Sequence, residues 1–441
     1  MRNSASPPEA TKPPRLATMD HHVANSPGQI LERTASILGC SITDEKLAIY
    51  LDQEDELRHV RDEFHIPKMK DLPSIDLTLV EAEDDSVYLN GNSLGLQPKK
   101  TKAYIEEELD KWAKIGCYGH FVGAFPWALA DECTVELMTD LVGAKKEETA
   151  LMNGLTVNLH LLLLSFYKPT SSRYKILMEA NAFPSDHYAV ESQIQLQGLD
   201  PEKCLLLLSP VEGCFVGFDL AHAVGNVELC LHDWDVDFAS WCNYKYMNSG
   251  AGALAGAYIH EKHQYSVKPT LHGWWSNDKK TRFEMDKKIH ISPGVNGFRL
   301  SNPPILLVRS LQAALEIFNQ TDKKALRRKS VLLTGYLECL IKHYYSKVPD
   351  NPQKPYVTII TPSNIEERGC QLSLVFSSHI SLVFMELQKR GATCDKRGPN
   401  ALRVAPVPLY NSFSDVYKFI KILNESFKAA MRQVRDEVSD D

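Results

Sequence analysis

The 441-residue sequence lacks several features that mark particular classes of protein. Its ten cysteines form no C-x-x-C pair, which argues against a disulfide framework or a structural zinc site and favours free thiols in the reducing cytosol. No apolar run approaches the roughly 20 residues of a membrane span, and the first residues predict no secretory signal. The net charge is −7, whereas nucleic acids require clustered positive charge. The sequence therefore predicts no membrane, nucleic-acid or metal partner.

Four regions follow one another along the chain. Residues 1–27 are rich in Ser, Pro, Ala and Thr and predict a disordered extension, in which Met19 is a second candidate start. Residues 28–86 predict a charged helical segment that packs on the small domain. Residues 87–303 alternate short apolar strands with helices, which predicts an α/β domain around a mostly parallel sheet. Residues 304–441 predict a smaller α+β C-terminal domain.

One acid and one lysine stand out in the α/β region. Asp219 ends the strand-like run CFVGFD, and Lys245 follows 26 residues later in an aromatic segment, CNYKY. Pyridoxal-phosphate catalysis requires both groups, because the lysine amine bonds the cofactor aldehyde and the carboxylate keeps the pyridine nitrogen protonated. Either residue alone is more often a solvated side chain or a helix cap, so the prediction depends on the pair.

The motif D-x-A-H-x-x-G, present as DLAHAVG before the lysine, resembles the fold-type I pyridoxal-phosphate enzymes, in the branch of the class V aminotransferases and cysteine desulfurases. The segments YLNGNSLGLQPK, FPSDHYAVESQ, ISPGVNGFRLSNPP and LRVAPVPLYNSF are similar to the kynureninase family of that branch. The resemblance implies a homodimer with shared active sites. It also implies hydrolysis of kynurenine and 3-hydroxykynurenine to anthranilate or 3-hydroxyanthranilate plus alanine, in tryptophan catabolism and NAD biosynthesis.

The resemblance also implies the residues of the site. It makes Lys245 and Tyr244 the catalytic residues. The implied contacts of pyridoxal phosphate are Leu155, Thr156, Phe183, Asp186, Asp219, His222, Tyr244, Lys245, Trp274 and Asn302, the last two across a dimer interface. The implied substrate contacts are Ser93, His120, Ser301, Asn302 and Arg403, with Arg403 holding the α-carboxylate.

Several of these residues have ordinary structural alternatives that the sequence leaves open. Thr156 fits a helix N-cap, Phe183 a core aromatic and His222 a satisfied buried histidine. Asn302, which precedes a proline, fits a turn, and Ser93 fits a turn in the same way.

The chain departs from the family between Phe183 and Asp219. Those 36 residues have to hold a helix and the strand CLLLLS, and one parallel crossover alone takes about a dozen residues or more. We expect roughly fifty further residues, enough for a βαβ unit, between Gly213 and Cys214. Loss of such a piece removes a central strand and opens one wall of the cofactor site, so we expect a chain that folds poorly or binds its cofactor weakly.

Two alternatives remain open from the sequence. A cysteine desulfurase or a class V aminotransferase would share the fold and the cofactor, although Cys370 and Cys394 lie beside strand-like sequence rather than on the mobile loop that a desulfurase requires. In the second alternative, the chain is an impaired subunit that dimerises but does not turn over substrate.

Overall fold

The computed structural model describes residues 26–207, 214–284, 288–351 and 354–439. Contacts divide the chain into two compact units. The terminal unit comprises the described residues before Asn92 and those from Thr321 onward, and the central unit is Asn92–Gln320. The sequence placed the second boundary at residue 304, whereas the contacts place it after Gln320. Of the predicted extension 1–27, residues 1–25 lie outside the described residues, and Ser26 already caps the first helix.

The described residues form eleven α-helices and twelve short strands. The helices are α1 (Pro27–Leu38), α2 (Glu45–Glu54), α3 (Lys100–Ile115), α4 (Ala130–Val142), α5 (Leu155–Phe166), α6 (Pro184–Leu196), α7 (Pro201–Cys204), α8 (Ile305–Asn319), α9 (Lys323–Tyr345), α10 (Ile380–Lys389) and α11 (Phe413–Ser439). The strands are β1 (Val87–Tyr88), β2 (Thr149–Leu151), β3 (Ile176–Met178), β4 (Leu205–Leu207), β5 (Gly217–Asp219), β6 (Phe238–Trp241), β7 (Gly256–Ile259), β8 (Val357–Ile359), β9 (Leu372–Phe376), β10 (Ala392–Thr393), β11 (Asp395–Arg397) and β12 (Ala401–Val404). None of these helices combines the length and the apolar character needed to cross a bilayer.

The terminal unit is built on an unbroken antiparallel sheet in the order β11-β12-β9-β8. Burial alternates along β9, as expected for a strand with one face on the core. The buried residues Leu374, Tyr336 and Phe413 place β9, α9 and α11 in one core. The N-terminal helix α1 packs against α9 and begins with a capping box formed by Ser26 and Gln29. The N-terminal segment is therefore part of this unit.

The central unit contains a four-stranded sheet in the order β2-β7-β6-β5 and a separate parallel pair, β3-β4. β5 runs parallel to β6, and β7 runs antiparallel to both of its neighbours. Helix α5 serves both sheets: Phe166 packs in the core of the larger sheet with Phe238, whereas Leu163 packs with Ile194 of α6 beneath the smaller one. The predicted α/β class is confirmed, with the difference that only two of the four strand pairs in this unit are parallel.

The strands that border the break between the two sheets are poorly covered. All three residues of β5 are exposed, although β6 beside it is buried throughout. The residues of β3 are partly exposed. The break lies at the position where the sequence predicts the loss of a central strand; of the two residues named there, Cys214 is described and Gly213 lies outside the described residues.

Candidate active site

Four segments that follow strands of the central unit carry the predicted cofactor residues. Leu155 begins α5 after β2, Phe183 caps α6 after β3, Asp219 ends β5, and Lys245 lies in the turn after β6. In open α/β sheets, ligands bind outside the carboxyl ends of the strands. The sequence-predicted residues therefore lie where such a fold places a ligand.

Lys245 lies beside two aromatic rings. Its Nζ is 6.0 Å from the ring centroid of Phe183 and 5.8 Å from that of Tyr244. The exposed Phe183 ring, at 62% exposure, is not the core aromatic that the sequence left open as an alternative. It is instead available to a flat ligand next to the lysine amine.

Gly95 packs against the backbone of Tyr244 and Lys245. The sequence did not predict this contact. The Gly95 N–H donates to the carbonyl of Tyr244 at 2.9 Å, and a Cβ at this position would lie 2.3 Å from the Lys245 carbonyl oxygen. Only glycine permits so close an approach. The available signal was the second glycine of the GNSLG turn, which also contains the exposed Ser93.

The carboxyl groups of Asp219, at the end of β5, and Asp186, in the first turn of α6, lie next to each other. Asp186 is 8% exposed, and burial followed by the adjacent charge of Asp219 raises the pKa of Asp186 to about 7, while the nearby Lys245 acts in the opposite direction. The Asp219 Oδ1 accepts a hydrogen bond from the Ala221 N–H at 2.7 Å. The Asp186 Oδ1 is buried and has no hydrogen-bond partner among the residues that the structure describes, so it can accept a ligand N–H.

Tyr244 is held as a neutral phenol. Burial, together with the nearby Cys242 thiol, raises the pKa of Tyr244 to about 12. The phenol therefore keeps its proton at neutral pH and can donate it or a hydrogen bond. His222 lies nearby in the chain with its ring edge-on to Tyr246, at a centroid distance of 6.0 Å.

The start of α5 offers an anion site. Its N-cap is Gly154, with no side-chain capping bond, so Thr156 is not the N-cap that the sequence left open. The Thr156 hydroxyl instead lies 3.1 Å from the Ser185 hydroxyl and joins the starts of α5 and α6. The first N–H groups of a helix have no intrahelical partner and favour anions. Ser185 was missed, because the sequence gives no sign of this long-range contact.

A cavity of about 240 Å³ extends from the start of α5. Asn153 and Gly154 line one side, and Ser301 and Asn302 line another. Asn153 has a left-handed φ of 52°, and its side-chain amide donates to the buried Asn158 at 3.0 Å. The structure therefore brings two predicted substrate residues to the predicted phosphate position.

Three predicted residues lie outside this arrangement. His120 and Trp274 belong to an exposed aromatic cluster, in which Phe121 and Phe283 lie between them with centroid distances of 5.8–6.1 Å from one ring to the next. Arg403 lies on β12 of the terminal unit, where its Nε donates to the Asp395 carboxylate at 2.8 Å. Asp395 and Arg403 are direct partners in the β11-β12 register.

One group of metal-ligating residue types lies at the opposite end of the sheet. Glu148, His232 and His260 bring one ligand atom each within 4.8 Å of one another, at the amino end of β2 and the end of β7. Their atoms already form hydrogen bonds: Glu148 accepts from the His232 ring and the Glu261 N–H, and His260 accepts from the Lys262 N–H. Hydrogen bonding within the fold accounts for this group.

The residues present fit pyridoxal phosphate. An exposed aromatic ring, a buried acid with an unpartnered oxygen beside the exposed Asp219, a lysine amine and an uncapped helix start lie together among the described residues of one unit. The aromatic ring suits the flat ring of the cofactor, and the acids suit its pyridine nitrogen. The lysine suits its aldehyde, and the helix start suits its phosphate.

Comparison with known proteins decides the family. Residues 326–423 match the profile of the kynureninase C-terminal domain. Kynureninase of Rattus norvegicus is 58% identical, over 90% of this chain and 96% of the rat chain. The chain belongs to the kynureninase family. Kynureninase of Mus musculus is 57% identical, over 92% of this chain and 98% of its own, and that of Homo sapiens is 56% identical.

Solved structures share the fold at low sequence identity. The cysteine desulfurase of Thermococcus onnurineus NA1 matches with a TM-score of 0.62 and 17% identity, over 82% of this chain and 98% of its own. The cysteine desulfurase CsdA of Escherichia coli matches with a TM-score of 0.61 and 14% identity, over 85% of this chain and 98% of its own. These likenesses place the kynureninase-family chain in the predicted fold-type I class.

The alignment with the rat protein also measures what this chain lacks. It spans 446 positions, whereas 90% of 441 residues is about 397, so about 49 rat residues (446 − 397) have no counterpart here. The mouse alignment spans 455 positions against 92% of 441, about 406, which again leaves about 49. This shortfall agrees with the roughly fifty residues expected from the sequence.

Proposed function

We propose that this chain performs pyridoxal-phosphate-dependent hydrolysis of kynurenine and 3-hydroxykynurenine, releasing anthranilate or 3-hydroxyanthranilate and alanine. The reaction class is hydrolysis of a carbon–carbon bond in a ketonic substance. Membership of the kynureninase family supports the substrate. The convergence of Lys245, Asp219 and Phe183 with the start of α5 is the observation that carries the proposal.

In this proposal, the residues after β2, β3 and β5 hold the cofactor. The N–H groups at Leu155 and Thr156 bind its phosphate, and Phe183 covers one face of its ring. The carboxylate of Asp219 would pair with the protonated ring nitrogen, with Asp186 next to it. His222 is assigned as a further cofactor contact. The bound cofactor supplies an acceptor for the electrons of the substrate's Cα–H bond.

Lys245 and Tyr244 move the protons. The Lys245 Nζ, next to Phe183 and Tyr244, takes the substrate α-proton. The Tyr244 phenol is neutral at physiological pH and therefore donates a proton rather than accepting one. Water adds to the γ-carbonyl of the substrate before the Cβ–Cγ bond breaks, and alanine leaves last.

We assign the substrate contacts to five residues. Arg403 holds the α-carboxylate: its Nε and Nη2 donate to Asp395, which orients the planar guanidinium, and Nη1 is the nitrogen that we assign to the substrate. Ser301 and Asn302 border the cavity at the start of α5. Ser93 and His120 are assigned as the remaining substrate contacts, although neither lines the cavity at the start of α5.

We further propose a cytosolic homodimer. Phe121 and Trp274 are 67% and 50% exposed, and exposed aromatic clusters of this kind mark interaction sites. A second copy that covers this cluster brings Trp274 to its partner's cofactor, whereas Asn302, for which the same role was expected, borders the cavity of its own chain. The scattered free cysteines support a reducing compartment.

A second candidate function is favoured by the exposed β5 and by the shortfall of about 49 residues (446 − 397) against the rat protein. In this alternative, the chain binds other copies and turns over little substrate, because one wall of its cofactor site is open. Cysteine desulfurase activity is the weaker alternative, because the chain is 58% identical to a kynureninase and 17% identical to the cysteine desulfurase of T. onnurineus.

The test uses purified chain with added pyridoxal phosphate. Borohydride reduction followed by peptide mass spectrometry locates the labelled lysine, and liquid chromatography measures anthranilate and 3-hydroxyanthranilate. Label on Lys245 with product supports the hydrolase, and both disappear in Lys245→Ala but persist in Lys114→Ala, a lysine on the exposed face of α3. Label without product supports the second candidate. Absence of label on Lys245 contradicts the cofactor assignment.

A further inference from the structure

In the central unit, the carboxyl ends of β3 and β5 lie close together, although the two strands belong to different sheets. Among the described residues, β5 pairs with β6 alone and β3 with β4 alone. Asp219 at the end of β5 nevertheless lies beside Asp186, in the helix that follows β3. The Thr156–Ser185 contact likewise joins segments that follow β2 and β3. The carboxyl ends of β3 and β5 therefore lie close together, and no backbone hydrogen bond joins the two strands among the described residues.

The connection from β4 to β5 is too short for a fold of this class. Only residues 208–216 separate the two strands, whereas a parallel crossover needs about a dozen residues or more. A strand with its crossover helix takes about 30 residues. The rat protein carries about 49 residues (446 − 397) that have no counterpart in this chain. That number is sufficient for one strand and one helix between β4 and β5.

Among the described residues, no backbone partner bonds the outer edge of β5. Val216 accepts a hydrogen bond from β6 at 3.3 Å, and Leu220 donates one to β6 at 2.9 Å. Alternate residues of a parallel strand turn their N–H and C=O groups toward the same neighbour. Gly217 and Asp219 therefore turn theirs away from β6, toward β3.

The surface next to this edge is apolar. Phe215 is 55% exposed, Val216 39% and Phe218 45%. On the other side of the break, Leu207 at the end of β4 is 44% exposed. Strands inside parallel sheets are nearly continuous apolar runs, because both of their faces are covered. The segment that matches this surface is therefore extended and rich in Val, Ile and Leu.

We propose that β3 and β5 border an open strand position, which binds in trans an extended apolar segment parallel to both strands. Such a segment adds a ladder on each side, as in β-strand addition. Edge pairing between two copies of this chain fits less well, because two-fold pairing of β5 with its own copy is antiparallel and leaves β3 unpaired.

The test uses a synthetic peptide with an extended run of Val, Ile and Leu between charged ends, the composition that matches this surface. Hydrogen–deuterium exchange is measured by mass spectrometry on the full chain without cofactor, with and without excess peptide. We expect exchange over 214–219 and 176–178 to slow by about tenfold or more, with no change over 372–376. The matched control is the same peptide with proline at the middle of its apolar run, which removes a ladder N–H and should give no protection.

Equal protection by the two peptides, or none by either, overturns the proposal. A second protein, with the same apolar run inserted between Gly213 and Cys214 on flexible linkers, shows whether the strand fits when it is covalently attached. Protection in this insertion protein without protection by the peptide overturns binding in trans. Protection of 214–219 in the isolated chain that increases with its concentration identifies a second copy as the occupant and also overturns the proposal. None of these readouts depends on substrate turnover.

Discussion

The sheet of the terminal unit is complete and that of the central unit is broken, and their strands differ accordingly. β9 has a partner on each side, and Leu374 at its centre is fully buried. β5 has one partner, and all three of its residues are exposed, although the adjacent β6 is buried throughout. A strand of apolar sequence is therefore not buried by its own composition. Its burial depends on the neighbouring strand and on the helix that the neighbour brings with it.

The break matters more for the proposed cofactor site than for the core. Asp219 and Lys245 come from the larger sheet, whereas Phe183 and Asp186 follow a strand of the smaller one. Helix α5, which packs on both sheets, and a few side-chain contacts hold the two halves together. A small movement between the sheets therefore changes the distance between Lys245 and Phe183, while each core stays intact.

The largest expected contrast concerns one side chain in each sheet. Leu374→Ala should lower the free energy of unfolding by about 3 kcal/mol, because it leaves a cavity in a closed core. Phe218→Ala should cost less than about 1 kcal/mol, because nearly half of this larger side chain is already exposed. Urea unfolding of both variants measures the difference. Equal losses would show that β5 is covered in solution and would remove the distinction between the sheets.

In the central unit, the sequence predicted the reactive side chains better than it predicted the contacts that position them. The motif DLAHAVG and the spacing to Lys245 identified the acid and the lysine, because local strand-and-turn patterns place both at strand ends. The shortage of residues between Phe183 and Asp219, set against the family pattern, predicted the missing strand. Gly95 and Ser185 were missed, because their roles come from contacts with distant segments. The sequence placed helix α8 after the domain boundary, whereas its contacts join it to the central unit, since periodicity reveals an apolar face but not the partner that covers it.

An intermediate effect is expected at the acid pair that spans the break. Asp186 has its pKa raised from 3.8 to about 7 by burial and by Asp219, so the folded chain holds this proton more tightly than the unfolded chain does. Stability from this group is complete below the lower value and is lost as pH rises through the higher one. Without cofactor, the chain should lose on the order of 1 to 3 kcal/mol between about pH 4 and pH 8 through this group.

Asp186→Asn should remove that loss, because its side chain does not titrate. The measurement is urea unfolding of wild type and variant across the same pH range, with the exposed Asp110→Asn as a control that should follow wild type. Matching slopes for wild type and Asp186→Asn would mean that the two sheets do not bring these carboxyl groups together in solution. The break between the two sheets would then separate these carboxyl groups as well as the strands β3 and β5.

The smallest effect is expected at the rim of the complete sheet. Asp395→Asn removes the charged partner of Arg403 on the outermost strand pair, β11-β12, where both side chains are partly exposed. Exposed ion pairs contribute at most about 1 kcal/mol, so urea unfolding should detect a loss no larger than this. The amide oxygen of the substituted side chain can still accept one hydrogen bond from the guanidinium, which further limits the loss. A loss above about 2 kcal/mol would show that rim charges, rather than buried side chains such as Leu374, hold this sheet together. The contrast with β5 would then reflect charge pairing at the edges rather than the presence of a neighbouring strand.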